Sequence, residues 1–128
     1  MHVNRNAETT VHRLPGLEHQ TLAGGKDGMQ QVEVWRQTIA GGAATPVHKH
    51  DCEEIIVIFA GQGVCHCGDE DFHFGADDTL VIPRYVTHQI VNTGDEDLRI
   101  VATLSMAPVK VETADGDPMA LPWDHHPE

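Results

Sequence analysis

From Met29 to Leu104 the chain is a succession of short apolar stretches, several alternating with polar residues and most separated by Gly, Asp or Pro. Beyond Met29 the alternation puts Val32, Val34, Arg36 and Thr38 on one side and Glu33, Trp35, Gln37 and Ile39 on the other, the period of a strand. Ile55 to Phe59 is a continuous apolar run of strand length, and Gly61-Gln62-Gly63 after it predicts a hairpin turn. Val64 to Cys67 and Phe72 to Phe74 flank the turn Gly68-Asp69-Glu70-Asp71. With Cys67 set opposite Phe72, Cys65 faces Phe74 and His66 faces His73; Cys65, Cys67, Phe72 and Phe74 then form the core face and the histidines the outer one. Thr79 to Ile82 ends at Pro83, which cannot donate to a central ladder. His88 to Asn92 and Leu98 to Leu104 follow, split by a turn over Thr93 to Asp97.

No segment carries a convincing helical period. Eight or so short strands with frequent turns predict an all-β sandwich or barrel over about residues 30–104. Residues 1–28 read as a polar, irregular N-terminal arm, and residues 105–128 as an irregular C-terminal tail. In that tail Trp123 is expected to cap an apolar patch or to touch a substrate, whereas His125 and His126 are expected to be solvated.

Composition narrows the function classes. At 128 residues the chain makes one domain, 1–128, and with aromatics at 5% its core must be mostly Val, Ile, Leu and Ala. A net charge of -12 without a Lys/Arg cluster argues against nucleic acid as a partner. No apolar run approaches the ~18 residues of a membrane span, and the N-terminus lacks the apolar core of a signal peptide. Three cysteines in no spaced framework suit reduced thiols, so a cytoplasmic location is expected.

The chemistry concentrates between Gly42 and Gly61. In extended backbone His48 and His50 share a face, and Glu54 has the same parity if Asp51 to Glu53 stay extended or turn tightly. Neutral imidazole and carboxylate are ligands for a divalent transition metal. Cys52 shares that parity and either reaches the metal or is a thiol tucked beside a turn. Cys65 and Cys67 read as small buried hydrophobes, and His66 and His73 as surface histidines.

Gly42, His48, His50, Glu54 and Gly61 fill every fixed position of G(X)5HXH(X)3,4E(X)6G, and the stretch resembles the first motif of the cupin superfamily. Asp77 to Asn92 resembles the second motif, G(X)5PXG(X)2H(X)3N, with Pro83, His88 and Asn92 in place. Asp77 and Tyr85 stand where that motif has glycines, so the second turn either lacks a positive φ or is strained by one. The resemblance implies a double-stranded β-helix, or jelly roll, with His48, His50, Glu54 and His88 converging on one cation inside the barrel. It also implies a homodimer, because open jelly-roll edges need cover.

Three imidazoles and a carboxylate would leave two positions of an octahedral metal open. Iron(II) or manganese(II) is the first expectation, and zinc, nickel, cobalt or copper are chemically acceptable. The function expected from this site is a metal-dependent oxidoreductase of dioxygenase type acting on a small molecule. The alternatives are a non-redox metal enzyme (isomerase, lyase or polyketide cyclase) and a non-catalytic binding or sensing module. Tyr85, just before His88, is the candidate to donate a hydrogen bond to a bound substrate; otherwise it is an edge aromatic closing a loop.

Overall fold

The computed structural model describes residues 1–124; the expectation for His125 and His126 lies outside the described residues. Nine strands are formed: β1 (His12–Leu14), β2 (Leu17–Ala23), β3 (Glu33–Ile39), β4 (Glu54–Ala60), β5 (Gln62–Cys67), β6 (Glu70–Gly75), β7 (Thr79–Ile82), β8 (His88–Asn92) and β9 (Leu98–Leu104). They make an antiparallel six-stranded sheet, β1-β2-β3-β9-β4-β7, and a three-stranded one, β6-β5-β8. This is the expected all-β jelly roll.

Alternation decides what the large sheet buries. Leu17 and His19 on β2, Glu33, Trp35, Gln37 and Ile39 on β3, and Leu98, Ile100, Ala102 and Leu104 on β9 all point inward. On β4 the buried set is Glu54, Ile56 and Ile58, paired through the ladder with Leu104, Ala102 and Ile100. Each fully buried aliphatic side chain of this kind stabilises the fold by about 1.5–3 kcal/mol. Polar residues also sit inside: Glu33 accepts from the Trp35 indole N–H at 2.8 Å and from the Gly25 amide at 3.0 Å, so its buried carboxylate is satisfied.

Three expectations need correcting. The stretch 1–28 is not all an irregular arm, since β1 and β2 extend the six-stranded sheet. The alternation of Leu17, His19 and Thr21 with polar neighbours is short, and its strand character comes from pairing with β3 across a register shift at Thr21 to Ala23. Gly61 does not close a hairpin. β4 and β5 lie in different sheets, and Gly61, at φ 92° and with a Cβ position 2.9 Å from the Asp97 carbonyl, lets the chain cross between them. Finally, β5 and β6 pair with Cys65 opposite Phe72 and Cys67 opposite Glu70. That register is two residues from the expected one, so parity survives while Phe72 lies beyond the core and is exposed.

Candidate metal centre

His48 and His50 lie on extended backbone that joins the small sheet only by isolated bridges, Ala44 to Val91 and His48 to His88. The His48 and His88 backbones exchange both hydrogen bonds, at 3.0 and 2.8 Å, and this fixes the two segments against each other. His88 begins β8, and Glu54 begins β4 on the facing sheet. The two sheets thus bring the four residues together from separate parts of the chain.

His48, His50 and His88 each offer a ring nitrogen within 4.8 Å of the others. Glu54 Oε1 stands 3.0 Å from His50 Nε2 and 3.2 Å from His88 Nε2. His48 Nδ1 donates to the Pro46 carbonyl at 2.7 Å and His88 Nδ1 to the Val86 carbonyl at 2.8 Å. A carbonyl can only accept, so Nδ1 carries the hydrogen in both rings and Nε2 presents a bare lone pair in the neutral form. His50 Nε2 and Glu54 Oε1 are buried with no hydrogen-bond partner of acceptable geometry, despite their short separation.

Acceptor facing acceptor in a dry interior is repulsive unless positive charge lies between. A proton is one solution. Burial raises the Glu54 carboxyl, but its contacts with His50 and His88 outweigh that and hold it down at about 2. Burial likewise lowers His88, yet Glu54 and the Val86 carbonyl bring it above the ordinary value. His48 goes the other way, to about 4, because burial and the neighbouring His88 both oppose its charge.

A divalent cation is the other solution, and it fits the donor set. Two ligands at right angles on a cation ~2.1 Å from each are about 3 Å apart, matching the 3.0 and 3.2 Å contacts of Glu54. The cluster can hold a metal through His48, His50 and His88, and Glu54, against His50 and His88, is placed to add a carboxylate oxygen. Bound there, the metal would supply Lewis acidity at its open positions.

An apolar cavity of about 40 Å³ opens onto His48, Glu54 and His88. Its walls include Leu17, Trp35, Ile56, Ile90, Ile100 and Trp123, with Gln37 and Thr45 as polar insertions. The segment that leads to Trp123 folds back over it. Glu112 exchanges backbone hydrogen bonds with Lys49 at 3.0 and 2.8 Å, and Met119 donates to the Val111 carbonyl at 2.9 Å. The Trp123 ring then stacks on His19, which is wholly buried, donates or accepts through Nε2 to Thr21 Oγ1 at 2.8 Å, and meets the Gln37 amide nitrogen at 2.9 Å.

Other expected residues lie elsewhere. Cys52 is buried, but its Sγ contacts His50 Nδ1 at 3.4 Å, on the edge of the ring away from Nε2, so it is behind the ligand and not on the cation. Burial and the Glu54 charge push its thiol up to about 11. Tyr85 is exposed and outside the cavity wall; its hydroxyl donates to Glu112 at 2.9 Å and its ring lies 4.3 Å from Lys49 Nζ. A hydroxyl engaged there is turned to the tail, away from a ligand in the cavity. Asn92 is no ligand either: its amide donates to the Ile39 and Glu96 carbonyls and accepts from Gly94, tying three segments at the barrel end.

Sequence reasoning did not single out Trp35, Gln37 and His19 as lining or supporting the cavity. The signal was the shared face of Trp35, Gln37 and Ile39, which had to be inward once Ile39 was core. His19 shares it through its pairing with Gln37.

Known proteins share this fold. The solved structure of an RmlC-like cupin from Shewanella frigidimarina superposes with a TM-score of 0.73 at 19% identity, covering 84% of this chain and 93% of the other, which shows the fold. A predicted oxalate decarboxylase from Thermotoga maritima gives a TM-score of 0.73 at 27% identity, covering 82% and 99%. Auxin-binding protein 1 of Arabidopsis thaliana is 39% identical over 107 residues, which are 76% of this chain and 54% of that protein. The chain therefore spans about half the length of that relative. The pattern of the auxin binding protein family matches residues 5–122, and the chain accordingly belongs to the auxin-binding protein family.

Proposed function

We propose that the protein binds a small organic acid, with a compact apolar or aromatic body, on a divalent metal held by His48, His50, Glu54 and His88. The observation that carries this reading is the continuity of the apolar cavity with the cluster: Leu17, Trp35, Ile56, Ile100 and Trp123 line the same space as His48, Glu54 and His88. A carboxylate is the group that suits the open positions of such a cation, and the apolar walls suit the rest of the ligand. The auxin and oxalate for which the relatives are named are both organic acids. In this role the chain orients the ligand and excludes water, and the Nδ1–H bonds of His48 and His88 leave their Nε2 atoms turned to the cation.

The test is calorimetric titration of metal-loaded and chelator-stripped protein with short aromatic and aliphatic carboxylates and with oxalate. Binding that needs the metal supports the proposal. Equal binding by the stripped protein, or none by the loaded form, refutes it.

The second reading is a dioxygenase-type oxidoreductase, favoured by the two positions that three imidazoles and one carboxylate leave free on an octahedral metal. Among the described residues the cavity wall outside the cluster carries no carboxyl, imidazole, thiol or phenol that could act as acid or base, and we therefore place binding first. Oxygen uptake with β-diketones, catechols or thiols, at iron(II) or manganese(II) loading, would reverse that order.

A further inference from the structure

The three histidines of the cluster are not held alike. His48 and His88 each donate Nδ1–H to the backbone carbonyl two residues earlier, Pro46 and Val86. The equivalent carbonyl for His50 is that of His48, and it already accepts the His88 amide at 2.8 Å. His50 Nδ1 meets Cys52 Sγ instead, two residues later, at 3.4 Å. His50 is thus the ligand whose outer partner is a side chain, and it is the most buried pairing of the three, with His50 2% and Cys52 3% exposed.

Cys52 is well placed to hold an orientation. The next residue, Glu53, accepts from the Ser105 amide at 3.0 Å and donates its own amide to Ser105 Oγ at 2.9 Å, and the His50 carbonyl accepts from the Tyr85 amide at 3.1 Å. Backbone on both sides of the pair is therefore pinned to other segments. When Nε2 faces the cation, Nδ1 keeps its hydrogen and the thiol sulfur is the acceptor within reach.

We propose that Cys52 is a positioning residue of the metal centre: its sulfur accepts from His50 Nδ1–H and keeps the ring turned with Nε2 toward the cation. This rests on the metal-centre reading above. Sulfur is a weaker acceptor than a carbonyl, so His50 is the ligand whose orientation is least firmly fixed and the one open to tuning by a single substitution. That a buried thiol sits between two ligands in sequence then has a reason besides packing.

The experiment compares wild type with Cys52→Ala and Cys52→Ser. Zinc affinity is measured by chelator competition, and the cobalt(II)-loaded proteins are compared by the shifted Nδ1–H proton resonances of their ligand histidines. Wild type should bind one metal and show three such resonances. Cys52→Ala should lose about tenfold in affinity, the low end for loss of an outer partner, with the His50 resonance alone displaced or broadened by exchange. Cys52→Ser, which keeps an acceptor, should lose less. Melting of the metal-free variants reports packing separately. Unchanged affinity and resonances in Cys52→Ala, or equal losses in the two variants, would overturn the proposal. If Cys52→Ala does not fold, an unmoved His50 resonance in Cys52→Ser overturns it too. Failure of wild type to bind metal would remove the centre itself, a result distinguishable from variants that match a metal-binding wild type.

Discussion

The His19 imidazole lies flat on the Trp123 indole, ring centroids 3.8 Å apart and planes 9° from parallel. One partner comes from β2 and the other from the end of the described chain, so this stack clamps the tail to the barrel wall beside the cavity. His19 is held at about 3, first by burial and then by the nearby His12. The fold therefore favours its neutral form. Below 6.5 the unfolded chain takes up a proton that the folded chain refuses, so the stability from His19 is full above 6.5 and is lost as pH falls toward 3.

The metal-free protein should accordingly lose stability between pH 6.5 and 4.5, by about 1 kcal/mol per pH unit for each such histidine. His48, lowered to about 4, adds to this window. Glu54, lowered to about 2, contributes stability present above 4.5 and lost only as pH falls through its folded value, so it acts below the window. His88 is raised, and its contribution is full below 6.5 and fades as pH rises through its folded value. Urea unfolding at several pH values checks the profile. His19→Gln should flatten its slope, and an unchanged slope would contradict the assignment.

Loss of a ligand should separate binding from folding. His48→Ala or His88→Ala is expected to abolish stoichiometric metal binding, a loss larger than the roughly 10–100-fold that follows removal of an outer partner, with the β-rich circular dichroism spectrum retained. Metal analysis of the purified variants decides it; full metal content in either would refute the ligand set.

Metal should also stabilise the protein by linkage. At free metal 100 times its dissociation constant the gain is about 2.7 kcal/mol, visible as a melting temperature that rises with metal and falls with chelator. A melting temperature indifferent to metal would count against the centre.

Asp77 and Tyr85 occupy left-handed backbone at φ 68° and 64°, the two non-glycine residues with positive φ among the described residues. Such a conformation costs a non-glycine residue about 1–2 kcal/mol. Asp77→Gly should therefore raise stability by about 1 kcal/mol, less what glycine adds to the freedom of the unfolded chain. Tyr85→Gly should gain less, since the ring and hydroxyl engage Lys49 and Glu112. Denaturant midpoints for the two variants test the order.

The outer face of the large sheet carries Phe59 at 64% and Val81 at 72% exposed, with Ile55 paired directly to Val81. The homodimer expected from the sequence would cover these side chains and the β7 edge. Sedimentation should give a dimer that Phe59→Glu with Val81→Lys converts to monomer. A monomeric wild type would refute it.

The site was legible for a local reason. His48, His50 and Glu54 are close in sequence, so parity, with a tight path through Asp51 to Glu53, set them on one face, and the resemblance of Pro83, His88 and Asn92 to a known motif pointed to the fourth candidate. What escaped was set by long-range pairing. Nothing within Leu17 to Ala23 shows that it pairs with β3, and nothing near Trp123 shows that it will stack on His19. The same limit explains the β5–β6 register: the loop residues announce a turn, while the rung that closes it depends on which side chains the second sheet can bury. Tyr85 shows the reverse case, where the motif departure was visible and the structure resolves it as a strained turn.

Lys49 stands between His48 and His50, and its backbone is bonded in both directions to Glu112. A cation that immobilised His48 and His50 would thus slow the breathing of the final segment, and freeing that segment would loosen the grip on such a cation. Amide hydrogen exchange at Lys49 and Glu112 should accelerate together on chelation, making the far end of the chain a reporter of occupancy.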